Sequence, residues 1–363
     1  MSEQDDVEAG AGEHGLGIVG AGTIGVFHAR AAAMVPAARL VAVTDVRQDR
    51  AEAFAAGHGC AAEPSLDDLL SRDDVDVVSV CVPSGLHAEV GIEVAAAGKH
   101  LIVEKPIDVS LDAADRLIEA AKAAGITVTV ISQHRFDPGL IELRRLIDEG
   151  VLGRLLLGQA ATKWYRSQSY YDSAAWRGTW SLDGGALMNQ GIHYADLLRW
   201  CMGPVAEVHA VTATQAHDME AEDCALAIVR FTSGAVGTIT ASTAVFPGFA
   251  QRLEISGTDG TVIVEDSAIT YRGFRGELPD QGITGSSVLT GATVPAVAAS
   301  AADLEVAAHA TQIADLLAAL DEGREPLVTA ADARATLELV RAVYASARDG
   351  RPVTLPLGGD AAR

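Results

Sequence analysis

The pattern of hydrophobic and polar positions differs between the first third of the chain and the rest. In the first third, amphipathic stretches separate short continuous apolar runs at residues 16–19, 40–44, 75–82, 100–103 and 127–131. Such Val- and Ile-rich runs are typical of strands buried on both faces of a parallel sheet. Ser65 with Asp68 and Ser110 predict helix N-termini, and Gly125 predicts a helix end. This alternation of strand and helix predicts a doubly wound α/β domain over residues 15–132.

The pattern in the rest of the chain predicts a different domain over residues 133–363. Its β-rich segments, joined by turns of Gly, Asp and Ser, lie at residues 154–166, 205–214, 224–231, 235–245, 252–256 and 261–264. Few helical stretches interrupt them, and residues 273–300 are rich in Gly, Ser and Thr, which predicts a long irregular loop. We therefore expect an α+β domain with a mostly antiparallel sheet and helices on one face.

Two helices of this second part have clear signals. The first begins after Asp137 and carries Ile141, Leu146 and Ile147, which we expect to face inward. The second is a terminal helix whose predicted N-cap is Thr329, in a capping box with the acid three residues later. The first helix is predicted to bridge the two domains.

Composition excludes several classes of protein. The chain has 363 residues and a formal net charge of −22, which argues against nucleic acid as a partner because phosphate binding needs clustered Lys and Arg. No run of about 18 apolar residues is present, so no membrane span is expected. Residues 1–14 are acidic and Gly-rich without the pattern of a signal peptide, which predicts a disordered tail and a cytoplasmic protein. The widely spaced cysteines, without a Cys/His cluster at metal-ligand spacing, predict no metal.

A glycine-rich motif follows the first predicted strand and opens the first predicted helix. In this GAGTIG sequence Gly20 permits the tight turn, Gly22 lets the backbone approach a pyrophosphate, and Gly25 lets helix and strand pack closely. Thr23 and Ile24 then lie at the helix N-terminus, where peptide N–H groups attract phosphates. The motif predicts a Rossmann-type dinucleotide site, and the alternative is a glycine turn that binds no nucleotide.

The end of the second strand bears on the choice of dinucleotide. Asp45 lies where a carboxylate accepts hydrogen bonds from the adenosine ribose hydroxyls. A 2′-phosphate would meet a like charge there, so NAD is favoured over NADP. Arg47 lies two residues on and partly offsets this preference.

Three further segments together resemble the Gfo/Idh/MocA oxidoreductases. They are Val82-Pro83-Ser84 with His87 at the end of the run 75–82, Glu104-Lys105-Pro106 after the run 100–103, and GGALMNQGIH over residues 184–193. The resemblance extends from Gly15 to Pro356. It implies a Rossmann domain followed by an α+β domain with a large open-faced sheet, with the active site at the carboxyl ends of the parallel strands.

The resemblance also implies catalytic roles for particular residues. Lys105 corresponds to a lysine beside the nicotinamide and the substrate hydroxyl, Glu104 lines the cofactor pocket, and His193 corresponds to the catalytic histidine. Asn189 stands where the commoner D-x-x-x-H pattern has an aspartate, and an amide does not stabilise an imidazolium as a carboxylate does. Asp196, on the same helical face as His193, is then a candidate to orient the imidazole.

Other residues are expected to contact cofactor or substrate. The expected cofactor contacts, besides the glycine motif, Asp45, Arg47, Glu104 and Lys105, are Val82, Pro83, His87, Gln133, Trp176 and Arg177. The expected substrate contacts are Lys105, Arg135, Tyr165, Arg166, Trp176, Asn189 and His193. Two alternatives stay open: His87 as a residue that only begins a helix, and the aromatic stretch from residue 163 to 180 as a packed loop.

These features predict an NAD(H)-dependent oxidoreductase that transfers a hydride between nicotinamide and a secondary alcohol or ketone of a sugar, sugar nucleotide or inositol. One alternative is an NAD-dependent glycosidase or lyase that oxidises its substrate transiently. Another is a non-catalytic NAD-binding sensor, against which the presence of both Lys105 and His193 argues. The resemblance further implies a homodimer or homotetramer formed through the C-terminal sheet.

Overall fold

The computed structural model describes residues 13–276 and 301–358, apart from the side chains of residues 301–305. The strands of its first sheet are β1 His14–Val19, β2 Ala38–Thr44, β3 Ala61–Ala62, β4 Val77–Val80, β5 His100–Val103 and β6 Val128–Val130. They pair in the order β3-β2-β1-β4-β5-β6, and all pairs are parallel. The continuous apolar runs are buried on both faces, as the sequence predicts.

Helices connect these strands, and their ends follow the predicted caps. They are α1 Thr23–Ala32, α2 Gln48–His58, α3 Leu66–Leu70, α4 His87–Ala96 and α5 Leu111–Ala124. The Ser65 hydroxyl accepts the Asp68 N–H, and the Ser110 hydroxyl accepts the Ala113 N–H. Gly125 ends α5 in the left-handed conformation, with φ 69°.

The second sheet is mostly antiparallel, as predicted. Its strands are β7 Leu155–Lys163, β8 Val205–Ala213, β9 Cys224–Phe231, β10 Val236–Ser242, β11 Arg252–Gly257, β12 Gly260–Glu265, β13 Ala268–Phe274 and β14 Val353–Thr354. They lie in the order β13-β12-β11-β7-β10-β9-β8-β14, in which the β7–β10 pair is parallel and the other pairs are antiparallel.

Helices cover one face of this sheet and leave the other open. The helices of the second part are α6 Pro138–Asp148, α7 Gln168–Tyr171, α8 Ile192–Met202, α9 Ala301–Glu322 and α10 Ala330–Asp349, of which α6, α8 and α10 pack on the sheet. On the open face Val211, Leu226, Ile228 and Val236 are exposed. None of the described helices combines the length and the apolar character needed to cross a membrane.

Two local predictions were wrong in detail. Ile141 is 50% exposed, because the inward face of α6 is formed by Leu140, Leu143 and Leu146. The irregular loop was predicted to start at residue 273, but β13 continues to Phe274; residues 277–300 of that prediction lie outside the described part of the chain.

Helix α9 was not predicted, and it packs on the first sheet. Its Ile313, Leu316 and Leu317 belong to the same apolar cluster as Leu16 and Ile102. The Gln312 carboxamide accepts the N–H of Ser132 at 2.9 Å and donates to the oxygen of Val130 at 2.8 Å. A helix from beyond residue 133 thus completes the layer around the first sheet, next to the loop that follows β6.

Candidate active site

The glycine turn between β1 and α1 has the geometry of an anion cradle. Gly20 has φ 106°, and a Cβ there would lie 2.4 Å from the Cys81 oxygen. A Cβ at Gly25 would lie 2.1 Å from the Gly20 oxygen, whereas one at Gly22 would meet open space. No side chain caps the N-terminus of α1, so the N–H groups of Thr23 and Ile24 face that space. These features fit a dinucleotide pyrophosphate.

Asp45 lies beside this turn at the end of β2. Its carboxylate accepts the N–H of Ala21 at 2.8 Å and the N–H of Arg47 at 2.8 Å. The Arg47 guanidinium binds Asp49, so it does not neutralise Asp45 through a direct side-chain contact. The arrangement keeps a carboxylate next to the glycine turn, where the sequence places the adenosine ribose.

His87 is a buried structural residue at the start of α4. Its Nδ1 lies 2.7 Å from the Pro106 oxygen and its Nε2 lies 2.9 Å from the Val82 oxygen. Burial lowers the pKa of this imidazole. Because both ring nitrogens face backbone carbonyls, the expected contact of His87 with the cofactor is corrected in favour of the alternative. Val82 and Pro83 remain half-exposed at the carboxyl end of β4.

Lys105 connects the first sheet to the second domain. Its Nζ donates to the backbone oxygen of Asn189 at 2.8 Å and to the side-chain oxygen of the same residue at 3.1 Å. The Lys105–Pro106 peptide is cis. Burial lowers the pKa of the lysine, while the charges of Glu104 and Asp183 act in the opposite direction.

Asp183 was not singled out in the sequence, although it completes this arrangement. The Asn189 side-chain NH₂ donates to one carboxylate oxygen of Asp183, and the other oxygen accepts the Gly178 N–H at 2.8 Å. Asp183 is almost fully buried. Its position one residue before the Gly184-Gly185 turn was the available signal, but only the folded chain shows its contact with Asn189.

His193 lies in the first turn of α8 and lines the same small cavity as Lys105. One π-helical turn, Leu187–Gly191, precedes it and carries Asn189. The rings of His193 and His134 meet edge to face with centroids 5.1 Å apart. Burial, followed by the nearby charges of Lys105 and His134, holds the pKa of His193 well below its usual value. The imidazole is therefore neutral at neutral pH and available to accept a proton.

Asp196 and Arg135 pair with each other, which corrects two expectations. The Arg135 Nε and Nη2 each donate to the Asp196 carboxylate at 2.7 Å, and the Thr336 hydroxyl donates to it at 2.8 Å. Arg135 is 1% exposed. A buried guanidinium requires such a carboxylate, so Asp196 does not orient His193 and Arg135 does not face a substrate.

Glu104 is also engaged by the protein. One of its oxygens lies 2.8 Å from Nε2 of His28 and 3.6 Å from Nε2 of His309, and the other accepts the Lys105 N–H at 3.0 Å. Burial alone would raise its pKa, but the hydrogen bonds from the two histidines hold the pKa of Glu104 well below its usual range. This buried carboxylate joins α1, α9 and the loop after β5, and its place in the lining of the cofactor pocket stays a prediction.

Two arginines stack on aromatic rings close to the turn Leu187–Gly191, which is named the catalytic turn for its proposed role. The Arg166 guanidinium lies 5.0 Å from the Trp164 ring centroid and 5.3 Å from that of Tyr170, and its buried Nε has no hydrogen-bond partner. Arg177 lies over Tyr170 at 4.3 Å and over Trp176 at 4.6 Å. Such stacked guanidiniums keep donors free for an anion.

Tyr170 and Gln190, which the sequence analysis missed, join these arginines to the catalytic turn. The Tyr170 hydroxyl accepts Nη1 of Arg177 at 2.6 Å and Nε2 of Gln190 at 3.4 Å. Tyr165 is exposed and packs against Phe246 at the edge of the site.

Gln133 stays a candidate for a cofactor contact. It is buried in the turn Gln133–Phe136 after β6, and its Oε1 has no hydrogen-bond partner in the structure. A buried acceptor without a donor is costly, which favours a ligand that supplies one.

Comparisons with known proteins agree with this fold. Residues 15–132 match the model of an oxidoreductase family with an NAD-binding Rossmann fold, and residues 140–263 match that of the GFO/IDH/MocA C-terminal domain. The chain is 30% identical to myo-inositol 2-dehydrogenase of Thermotoga maritima over 74% of its own length and 80% of that protein. It is 29% identical to inositol 2-dehydrogenase of Rhizobium meliloti, over 94% and 98% of the two chains.

A solved structure is similar over almost the whole chain. It is the WlbA dehydrogenase of Bordetella pertussis in complex with NADH and UDP-GlcNAcA, which is 34% identical with a TM-score of 0.85. The superposition covers 96% of this chain and 99% of that one.

Proposed function

The chain belongs to the Gfo/Idh/MocA family of NAD-binding oxidoreductases, and on this premise we propose that it oxidises a secondary hydroxyl of a sugar nucleotide. Its reaction class is hydride transfer between a nicotinamide and a CH–OH group of a sugar or inositol, or the reverse reduction of the ketone. One observation carries the assignment of the site: Lys105 and His193 line the same cavity at the carboxyl edge of the parallel sheet.

Lys105 and His193 have different roles in the proton transfer. His193 is neutral and accepts the proton of the substrate hydroxyl. The Lys105 ammonium gives two hydrogen bonds to Asn189, which leaves its third N–H to hold the reacting oxygen. When bound, the nicotinamide supplies the hydride acceptor.

NAD is the preferred cofactor. The glycine turn and the uncapped α1 N-terminus suit a pyrophosphate, and the Asp45 carboxylate lies beside them. A 2′-phosphate would approach that carboxylate without a cation on it, because the Arg47 guanidinium is bound to Asp49. We therefore expect NADP to bind more weakly than NAD.

The substrate class rests on the two stacked arginines. In a chain of net charge −22, two guanidiniums beside the catalytic turn mark a place for a negatively charged group. The aromatic rings around them suit a pyranose or a base. The likeness to a dehydrogenase solved with UDP-GlcNAcA supports a sugar nucleotide with an acidic sugar.

A second candidate substrate is an inositol, which is uncharged. It is supported by inositol dehydrogenases that are 28% to 30% identical to this chain. An inositol has no charge to pair with the two stacked guanidiniums, which favours the anionic substrate.

A substrate panel tests the proposal. The purified chain is mixed with NAD and, separately, with UDP-sugars, UDP-uronic acids, free sugars and inositols, and NADH formation is followed by absorbance. We expect NADH from a sugar nucleotide. Turnover of inositols alone would overturn the substrate class. Substrate cleavage without net NADH would identify a transient-oxidation lyase or glycosidase, and NAD binding without any turnover would identify a sensor.

We also propose a homodimer or homotetramer formed through the open face of the second sheet. Val211, Leu226, Ile228 and Val236 lie on strands β8 to β10 and expose apolar side chains on that face. An apolar patch of this kind on a sheet is costly in water and marks an interaction surface.

A further inference from the structure

We propose that Asp183 is a positioning residue that acts through Asn189 to fix the orientation and the charge environment of Lys105. The inference rests on the proposed function, in which Lys105 holds the reacting oxygen. It starts from a chain of three side chains: the Asp183 carboxylate, the Asn189 carboxamide and the Lys105 ammonium. The motifs in the sequence predict neither Asp183 nor this series of hydrogen bonds.

The chain of hydrogen bonds has a direction. The Asn189 NH₂ donates to Asp183, and its Oδ1 accepts from Lys105 at 3.1 Å. Rotating the amide by a half turn would place NH₂ against the ammonium and oxygen against the carboxylate, which are two repulsive contacts. Asp183 therefore determines which end of the amide faces the lysine.

Asp183 is itself held in place. Its second oxygen accepts the Gly178 N–H at 2.8 Å, and the residue is 1% exposed. A buried carboxylate with fixed donors does not rotate to follow its partner. The Gly178 backbone therefore fixes the Asp183 carboxylate, which orients Asn189 and, through it, Lys105.

Asp183 also supplies the negative charge that residue 189 lacks. The commoner family pattern has an aspartate at 189, whereas here the carboxylate lies one amide farther away. Four titratable groups face Lys105: Glu104, Asp183, Arg177 and His193. The charges of Glu104 and Asp183 favour the protonated lysine, whereas the charge of Arg177 disfavours it. Asp183 itself faces Lys105, Arg177 and Tyr170. Removing its charge should shift the balance toward the neutral amine.

Asp183→Asn separates this role from simple support of the loop. The new amide still accepts the Gly178 N–H through its oxygen, so the loop keeps its hydrogen bond. Its NH₂ then faces the Asn189 NH₂ and forces that amide to turn its NH₂ toward Lys105. We expect kcat to fall by about tenfold or more, NAD affinity to stay within about twofold, and the lysine limb of the pH profile to move to lower pH.

The exchange of the two residues, D183N/N189D, supplies the rescue. In this double variant the amide at position 183 donates to the carboxylate at position 189, whose free oxygen accepts from Lys105, and the net charge is unchanged. We expect it to recover most of the activity lost in Asp183→Asn. Asn189→Asp alone places two carboxylates in contact and should be worse than the double variant.

The test has a readout that does not depend on turnover. Labelling of Lys105 by an amine reagent, measured by mass spectrometry across pH without substrate, reports its pKa in each variant. A lower lysine pKa in Asp183→Asn supports the proposal even if the natural substrate differs from a sugar nucleotide. An Asp183→Asn variant with unchanged kcat and an unchanged labelling profile would overturn it. A folded double variant no more active than Asp183→Asn would do the same, and if the double variant does not fold, the single-variant labelling decides.

Discussion

The Nζ of Lys105 lies 2.8 Å from the backbone oxygen of Asn189, so the loop after β5 is bonded directly to the turn that leads into α8. That turn carries His193, and both side chains line one cavity. The proposed catalytic pair is therefore brought together by a contact that the lysine itself makes.

Replacing Lys105 with Ala should abolish turnover and leave NAD affinity nearly intact. In the proposed site the ammonium holds the reacting oxygen, whereas the glycine turn would hold the pyrophosphate. We expect a loss of about a hundredfold or more in kcat. Initial rates and a binding titration with NADH fluorescence measure the two effects.

Lys99→Ala is the matched control, because Lys99 binds the Arg72 oxygen far from the catalytic turn. It should keep full activity. Equal losses in the two variants would mean that general destabilisation, not the chemistry, explains the result.

His193 should keep the enzyme active in mildly acidic solution. A base works in its neutral form, and burial with the nearby charges of Lys105 and His134 lowers the pKa of this imidazole. Activity should therefore decline only as the pH falls well below about 6.5, where an ordinary histidine is half protonated. The pH profile of kcat/KM checks this. His193→Gln should remove most of the activity, and His58→Gln, at a half-exposed site at the end of α2, should leave the profile unchanged. An acid limb centred at or above pH 6.5 contradicts the assignment.

Arg166→Leu should weaken the binding of an anionic substrate more than it slows the chemical step. The guanidinium stacks on the rings of Trp164 and Tyr170, and its buried Nε has no hydrogen-bond partner in the structure. We expect KM for a sugar nucleotide to rise by about ten- to a hundredfold, with kcat changed by less, since a hydrogen bond to a charged group contributes roughly 1.5–3 kcal/mol. Arg154→Leu, at an exposed arginine, is the charge-matched control. The proposal fails if both variants bind the substrate equally well.

The strands of the first sheet could be predicted because their signal is local. A strand buried on both faces is apolar at consecutive positions, and Val77, Val78 and Val80 meet that requirement within one short run. The caps at Ser65 and Ser110 are local for the same reason, since the hydroxyl and the N–H it accepts are three residues apart.

The partners of the site residues could not be predicted, because they are set by tertiary contacts. Asp196 follows His193 at helical spacing, yet its carboxylate is taken by Arg135, which precedes it by 61 residues. Asp183 has no motif of its own, and α9 directly follows a stretch rich in Gly, Ser and Thr that predicts a loop up to residue 300. A buried charge pairs with an opposite charge that lies near it in the folded structure. Spacing along the chain therefore predicts which residues share a helix face, but not which residues form ion pairs.

Glu222→Gln should stabilise the protein at alkaline pH. Burial raises the pKa of Glu222 to about 7, and only one of its oxygens is bonded, to the Leu187 N–H and the Tyr344 hydroxyl. The folded state holds this proton more tightly than the unfolded state, so the carboxyl's contribution to stability is full below about pH 4.5 and is lost as the pH rises through about 7. Glutamine keeps the acceptor and has no charge to bury.

Thermal unfolding at two pH values tests this prediction. We expect Glu222→Gln to raise Tm by roughly 2–8 °C at pH 8, for a gain of about 1–2 kcal/mol, and to change it little at about pH 5. Glu220→Gln, at an exposed glutamate in the same segment, should be neutral at both. Equal effects of Glu222→Gln at the two pH values would rule out a buried ionisation as the cause.

The open face of the second sheet should set the oligomeric state. Ile228 is 61% exposed in the middle of that face, and a glutamate there would bring a charge into an interface that excludes water. We expect the wild-type chain to be a dimer or tetramer by light scattering, and Ile228→Glu to have at most half of that mass while keeping its fold by circular dichroism. The control is Ile141→Glu, because Ile141 is 50% exposed on α6, away from this face, and its change should leave the mass unaltered. A monomeric wild type, or an Ile228→Glu variant of unchanged mass, would show that the exposed apolar strands do not form the subunit contact.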